Sequence, residues 1–288
     1  VTTTINANQI SCNGGLTNTA FVTGTTKFVL GGGPWQTTGT QPTGSDVDLA
    51  GTVTVSGAVY WGAAGKVLRY VSGTITVAGS TLTLPAACTL DTTGIIWAGV
   101  TCSGAVTYTL SSNLAWSGTL TSSAAMTFTG AGTLVGPGNV TLSGAITVTL
   151  NNTGGLVTTG TLTWPNAAAT FAGSAGYTVG TQTTATLTAS RIHTLTQGNT
   201  YTVTTALTNV GATAAIRQAI KSSSAGNKVV FNLTPGATNT LVYCDPTDVD
   251  SDGGATILSV GATITNSDNW VDSSIAGGGV GAGAGSNT

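Results

Sequence analysis

The chain has 288 residues and a mass of 28.2 kDa, and only 6% of them are charged, against roughly a quarter in an average soluble protein. A net charge of -2, from 7 basic and 9 acidic residues, excludes the electrostatic footprint of a nucleic-acid-binding protein or of a protein held on an anionic membrane. No apolar run is long enough for a membrane helix, and the many Thr and Val residues predict an all-β protein.

Residues 1–50 are predicted to form an N-terminal strand and cap region. The start, Val1 to Ile10, lacks the basic and apolar regions of a signal peptide. Because the chain begins at Val rather than Met, we expect a processed chain or a piece of a longer one. Asp46 and Asp48 are a close carboxylate pair of the kind that can hydrolyse glycosides when one carboxyl is held protonated. Because they stand where a turn enters a strand, we interpret them as turn formers.

Residues 51–187 are predicted to form a β-solenoid with coils of about twenty residues. No charged residue lies between Asp91 and Arg191, and five similar segments recur from residue 86 to residue 171 at spacings of 18 to 23 residues. A unit this short cannot bury its apolar face alone, but it can stack on similar neighbours. The uneven spacing favours a right-handed parallel β-helix. The segments are 86–90, 104–108, 124–128, 144–148 and 167–171.

Alternation within each segment predicts which side chains face inward. The threonines between them are expected to face outward, where stacked hydroxyls and methyls are favourable and stacked like charges would repel. One predicted inward column contains Cys88, Val106, Met126, Ile146 and Ala169, and the other contains Leu90, Tyr108, Phe128, Val148 and Phe171.

Charged residues return at Arg191 and indicate a small β-rich C-terminal module at residues 188–275, followed by a Gly-rich tail at residues 276–288. One helix is predicted, Ala212 to Lys221, because Ile216 and Ile220 stand at helical spacing.

A candidate calcium loop lies in this module. Asp248, Asp250 and Asp252, followed by Gly253, match the start of a loop in which alternate carboxylates converge on one cation. Ser259 stands where the bidentate Glu is expected, so the alternative is a turn whose Asp side chains cap backbone amides. No other cofactor is expected.

The last third of the chain resembles the closing module of repeat-rich phage tail-fibre and bacterial surface proteins. The segments that carry the resemblance are 194–203, 221–226, 229–233, 242–243, 248–254, 256–257 and 269–270. The resemblance implies a virion or extracellular appendage with a structural or adhesive role, and it names no receptor.

The single histidine, the tryptophans and the cysteines are the remaining candidate functional residues. His193 is the only histidine and has no nucleophile motif beside it, so we interpret it as a surface or strand-end imidazole rather than part of a catalytic triad. The six tryptophans could stack on sugars if exposed in a row, but packing at coil corners is favoured. Cys88 is expected in the core, and a bridge from Cys88 to Cys102 is limited by geometry.

A non-enzymatic structural subunit of an appendage, such as a phage fibre or decoration protein, is therefore the leading hypothesis. Its expected partners are copies of itself in a homo-oligomer or other appendage subunits, joined through strand ends. A bacterial surface filament or glycan-binding adhesin is one alternative. An ice-binding protein is another, since Thr-x-Thr pairs recur at 107–109, 127–129 and 147–149, with Asp91 and Ala172 expected to break the rank.

Overall fold

The computed structural model describes the backbone of residues 3–4, 9–12, 16–18, 22–23, 27–37, 45–251 and 254–274. Within these ranges the protein is all-β, with thirty strands and no helix, and its strands stack in parallel as a β-solenoid. This confirms the predicted fold class. In the part of the chain that the structure describes, no helix has the length and apolar character needed to cross a membrane.

Two compact units make up the chain, residues 1–138 with 151–154 and residues 139–150 with 155–288. The strands up to residue 138 are β1 (Thr3–Thr4), β2 (Gln9–Cys12), β3 (Leu16–Asn18), β4 (Val22–Thr23), β5 (Lys27–Thr37), β6 (Val47–Ser56), β7 (Val59–Tyr60), β8 (Lys66–Tyr70), β9 (Ile75–Ala78), β10 (Thr81–Leu84), β11 (Cys88–Asp91), β12 (Ile96–Cys102), β13 (Val106–Leu110), β14 (Leu114–Ser122), β15 (Met126–Gly130) and β16 (Leu134–Gly136). The strands after it are β17 (Asn139–Leu142), β18 (Ile146–Asn152), β19 (Leu156–Trp164), β20 (Ala169–Gly173), β21 (Tyr177–Thr184), β22 (Arg191–Leu195), β23 (Thr200–Thr208), β24 (Gln218–Ser222), β25 (Val229–Leu233), β26 (Thr238–Val242), β27 (Cys244–Thr247), β28 (Val249–Asp250), β29 (Ile257–Val260) and β30 (Trp270–Asp272).

From β10 to β16, successive strands of the first unit alternate between two sheets, the second of which is bent. The first sheet runs β2-β5-β6-β8-β11-β13-β15 and the bent sheet runs β7-β10-β12-β14-β16. The register shifts between Trp97 and Gly99, and a β-bulge of this kind bends its strand. A Cβ on Gly118 would lie 2.2 Å from the carbonyl oxygen of Ala98, so the neighbouring coil turns this corner through a residue without a side chain.

The second unit repeats this plan. Its first sheet runs β18-β20-β22-β24-β27, and its bent sheet runs β19-β21-β23-β26-β29-β30, with β17 beside β19 and β25 beside β23. Register shifts between Thr158 and Thr161 and between Val179 and Thr181 mark the corner. Parallel pairing of β22 with β20 and of β23 with β21 runs past residue 188. The domain boundaries expected from composition stay predictions.

The predicted stacking is confirmed within each unit, with one error in register. Val106 pairs with Met126, and Ile146 pairs with Ala169, as expected, although Val106 is only half-buried. Cys88, however, pairs with Tyr108 rather than with Val106. Buried Leu90 therefore pairs with buried Leu110, and these two strands are twenty residues apart rather than eighteen. The first residue of each predicted column, Cys88 or Leu90, was thus misplaced by two positions.

Thr89 therefore pairs with Thr109, and the expected break of the threonine rank at Asp91 was also wrong. The hydroxyls of Thr109 and Thr129 lie 3.3 Å apart on the next pair of strands, as the predicted hydroxyl ladder requires.

The helix predicted at Ala212 to Lys221 was wrong. Thr213 and Ile216 exchange two backbone hydrogen bonds in a tight turn, and β24 begins at Gln218. Gln218, Ile220 and Ser222 alternate inward with a period of two, and β24 is held between β22 and β27. Pairing on both edges outweighs the local helical spacing of the two isoleucines.

Candidate functional site

In the candidate calcium loop, the carboxylates of Asp248 and Asp250 accept hydrogen bonds from neighbouring amides. Asp248 is buried and has a φ of 56°, a left-handed conformation that Asp tolerates in turns. Its carboxylate accepts hydrogen bonds from the backbone N–H of Gly226, at 2.9 Å, and from the side-chain amide of Asn266. These contacts fit the amide-capping turn that was the alternative to calcium.

Asp250 faces a cation and a backbone amide. Its Oδ1 lies 3.1 Å from Lys228 Nζ and accepts a 2.8 Å hydrogen bond from the N–H of Asp268. Asp252 lies outside the described residues, and among those that are described no group of three or more His, Cys, Asp or Glu side chains is arranged to hold a metal ion. The calcium site at Asp248, Asp250 and Asp252 stays a prediction.

A groove of about 390 Å³ opens beside Asp248. Thr194, Lys221 and Thr247 are direct neighbours on β22, β24 and β27, so they form one rank of outward side chains along its wall. The hydroxyl-bearing side chains of Thr194 and Thr247 and the amine-bearing side chain of Lys221 thus lie along a space that a sugar ring could enter. The lining residues are Thr194, Lys221, Ser222, Ser223, Ala225, Thr247 and Asp248.

Asp46 and Asp48 of the first unit contact residues on neighbouring strands through their carboxylates. Asp48 is 5% exposed and lies between two cations of adjacent strands, 2.5 Å from Lys27 Nζ and 2.9 Å from Arg69 Nη2. Asp46 accepts a 2.9 Å hydrogen bond from the N–H of Val67. Sequence reasoning missed Lys27, Arg69 and Val67 as partners because each is 21 positions away in the chain. Stacking of the coils places them on neighbouring strands.

His193 is a core residue, and its interpretation as a surface or strand-end imidazole was wrong. The ring is fully buried on β22, with its centroid 4.3 Å from that of Trp164. Neither ring nitrogen has a hydrogen-bond partner within the described residues. Burial, with a smaller contribution from the charge of Arg191, lowers the pKa of His193 from 6.5 to about 3, so the ring is neutral at pH 7.

The described cysteines are buried free thiols. Cys88 and Cys102 are unbridged, and burial raises the pKa of each to about 12. Burial also raises the pKa of Cys244. Because the thiolate is the reactive form, these side chains are small core residues at neutral pH.

All six tryptophans are buried, as the preference for corner packing predicted. Trp35, Trp61, Trp97, Trp116 and Trp164 have no exposed surface, and Trp270 is 3% exposed. None of these rings is available as a platform on which a sugar could stack.

Two ranks of outward threonines on the bent sheet of the second unit were not recognised in the sequence. Five threonines stand side by side on five strands, and three threonines and an alanine stand beside them. The first rank is Thr141, Thr163, Thr183, Thr208 and Thr240; the second is Thr161, Thr181, Ala206 and Thr238. We call the threonines of both ranks the threonine face. The available signal was the Thr-x-Thr pattern of 161–163, 181–183 and 238–240.

Comparisons of the chain with family models, with curated proteins and with solved structures find no match.

Proposed function

We propose that the chain is a non-enzymatic structural subunit of an extracellular or virion appendage, such as a phage fibre or decoration protein. The observation that carries the proposal is the outer surface of the coils, where hydroxyl ladders replace charged side chains from Asp91 to Arg191. Such ladders stabilise a long parallel stack without the repulsion that like charges would produce at coil spacing.

The ionisable groups support a structural role. The imidazole of His193 is buried and neutral, and the thiol of Cys102 is buried with a raised pKa. The carboxylates of Asp48 and Asp245 are paired with Lys27, Arg69 and Arg217. A general base needs an accessible group with a pKa near the working pH, and the buried imidazole of His193 does not meet that condition.

Strand β30 offers an edge through which subunits could join. It pairs only with β29 among the described strands. Ile257 N donates to Asn269 O, and Ser273 N donates to Ser259 O, so alternate residues of β30 point their amides toward β29. By the same alternation, the N–H groups of Trp270 and Asp272 point away from β29, toward a strand of a neighbouring subunit.

Light scattering of matched variants tests this assembly. Asp272→Pro removes an outward N–H, whereas Asp272→Ala removes the same carboxylate and keeps that N–H. We expect the Ala variant to form the oligomers or fibres of the unaltered chain and the Pro variant to form smaller ones. A chain lacking residues 1–10 tests the N-terminal contact in the same assay. A monomeric unaltered chain at high concentration would contradict the proposal.

A glycan-binding adhesin is the second candidate, and the groove beside Asp248 favours it. Exposed Lys221 makes no ion pair with a described residue, and the hydroxyls of Thr194 and Thr247 flank it. A sugar bearing a carboxylate would complement this wall. Lys221→Ala should then lose retention on an array of acidic glycans that Lys66→Ala keeps, and retention of no glycan by the unaltered chain would contradict this candidate.

A further inference from the structure

We propose that the threonine face of the second unit binds ice. Each threonine of the first rank lies next to a threonine on the adjacent strand, from Thr141 on β17 to Thr240 on β26. The face lies on a different sheet from the 107–149 pairs that suggested ice binding in the sequence. This role goes beyond that of a structural subunit.

The face repeats in two directions. Neighbouring strands lie about 4.8 Å apart, and alternate residues of one strand lie about 6.7 Å apart. Threonines at 161 and 163, 181 and 183, and 238 and 240 therefore place hydroxyls and methyls on a nearly rectangular grid. Because threonine is stiff at χ1, these groups have few alternative positions.

The grid is also uncharged. Strands β17, β19, β21, β23 and β26 contain no Asp, Lys, Arg or His. A charged side chain would hold water in its own hydration shell, whereas hydroxyls and methyls at fixed spacing can hold water in a regular array. The surface of an ice crystal also repeats in two dimensions, as this face does.

A crystalline polysaccharide is the rival ligand, since it also presents hydroxyls at regular spacing. Recognition of sugars usually relies on aromatic rings that stack on the sugar face, and all six tryptophans are buried.

The second rank is interrupted once, at position 206, where Ala206 has a methyl group but no hydroxyl.

Thermal hysteresis and incorporation into a growing ice hemisphere test the proposal. We expect the unaltered chain to show both, and Thr183→Lys, in the middle of the first rank, to lose both. Thr170→Lys is the matched control, because Thr170 is also an outward threonine between two strands, but on the other sheet of the same unit. Circular dichroism checks that both variants keep the β fold.

Absence of hysteresis and of ice incorporation in the unaltered chain would overturn the proposal. Equal loss in Thr170→Lys and Thr183→Lys would overturn the assignment to this face, and binding to insoluble polysaccharide but not to ice would favour the rival ligand. Oligomers sensitive to Asp272→Pro would leave the structural role standing in each case.

Discussion

The hydroxyl of Thr208 donates a 2.8 Å hydrogen bond to the hydroxyl of Thr183, a residue 25 positions earlier in the chain. Each coil thus places its outward threonine beside that of the coil before it. Similar pairs occur in the first unit, where the hydroxyls of Thr101 and Thr121 are 3.2 Å apart. Side-chain identity at one coil therefore affects the stability of its neighbours.

Stacked charges test this coupling. Thr163 and Thr183 are direct neighbours on β19 and β21. Two aspartates there, Thr163→Asp with Thr183→Asp, should destabilise the protein by about 1 kcal/mol more than the sum of the single changes. Thr163→Asp with Thr183→Lys should be more stable than that sum predicts. Urea unfolding at low and high salt measures both, and additive effects in both pairs would contradict the register.

Removing the polar atoms of His193 should stabilise the protein. His193→Leu keeps an apolar side chain beside Trp164 and eliminates two buried nitrogens that lack partners among the described residues. We expect a gain of about 1–2 kcal/mol in the free energy of unfolding. His193→Ala leaves a cavity and should lose stability, which makes it the control. A Leu variant less stable than the unaltered chain would show that the imidazole has a partner.

The pH dependence of stability should carry the signature of His193. Its pKa is lowered to about 3 in the folded protein, whereas in the unfolded chain it is near 6.5. The unfolded chain therefore binds the proton first, and the free energy of unfolding falls as the pH falls from 6.5 to 3, by about 1.4 kcal/mol per pH unit. The His193→Leu variant should show a smaller decline over this window, and identical declines would disprove the assignment.

Asp48 should matter more than an exposed carboxylate. Asp48→Ala leaves Lys27 and Arg69 without the carboxylate between them, and partial exposure of both cations limits the expected loss to about 1–3 kcal/mol. Asp268, 63% exposed and 2.5 Å from Lys228 Nζ, is the comparison. Asp268→Ala should cost less than about 1 kcal/mol. Thermal unfolding distinguishes the two, and equal effects would argue against a larger contribution from the buried carboxylate of Asp48.

Gly180 should not tolerate a side chain. A Cβ there would lie 2.0 Å from the carbonyl oxygen of Thr159, so the backbone of two coils must separate to admit it. Gly180→Ala should therefore cost about 1–3 kcal/mol or more. At Gly99 the nearest atoms would be 3.2 Å away, and Gly99→Ala should cost less. Chemical denaturation compares the two variants, and a reversed order would contradict the corner geometry.

Sequence alone was sufficient for the fold because the repeat is a local pattern. Segments such as 124–128 and 146–148 carry the alternation that decides which side chains are buried. The sequence was insufficient to decide the register of Cys88. Pairing Cys88 with Val106 or with Tyr108 shifts the strand by two residues, and both registers keep the same side chains facing inward. Only pairing with both neighbouring strands decides between them.

The functional surfaces were harder to predict because they form between coils. Lys221 and Thr247 meet in the groove although 26 positions separate them, and the turns between them vary in length. The threonine face was overlooked for the same reason, because its coils are 20 to 32 residues apart and have no common spacing. His193 was misplaced because nothing in its local sequence distinguishes an inward from an outward strand position.

Cysteine cross-linking in the second unit tests the stacked-coil arrangement most directly. Thr163 and Thr183 are twenty positions apart and adjacent across a ladder, whereas Thr163 and Thr170 are seven positions apart and lie outward on different sheets. With a short thiol cross-linker, the pair Thr163→Cys and Thr183→Cys should link within one chain, and the pair Thr163→Cys and Thr170→Cys should not. In a helical or unfolded segment the nearer pair would link more readily, so efficient linking of 163 to 170 without linking of 163 to 183 would contradict the account.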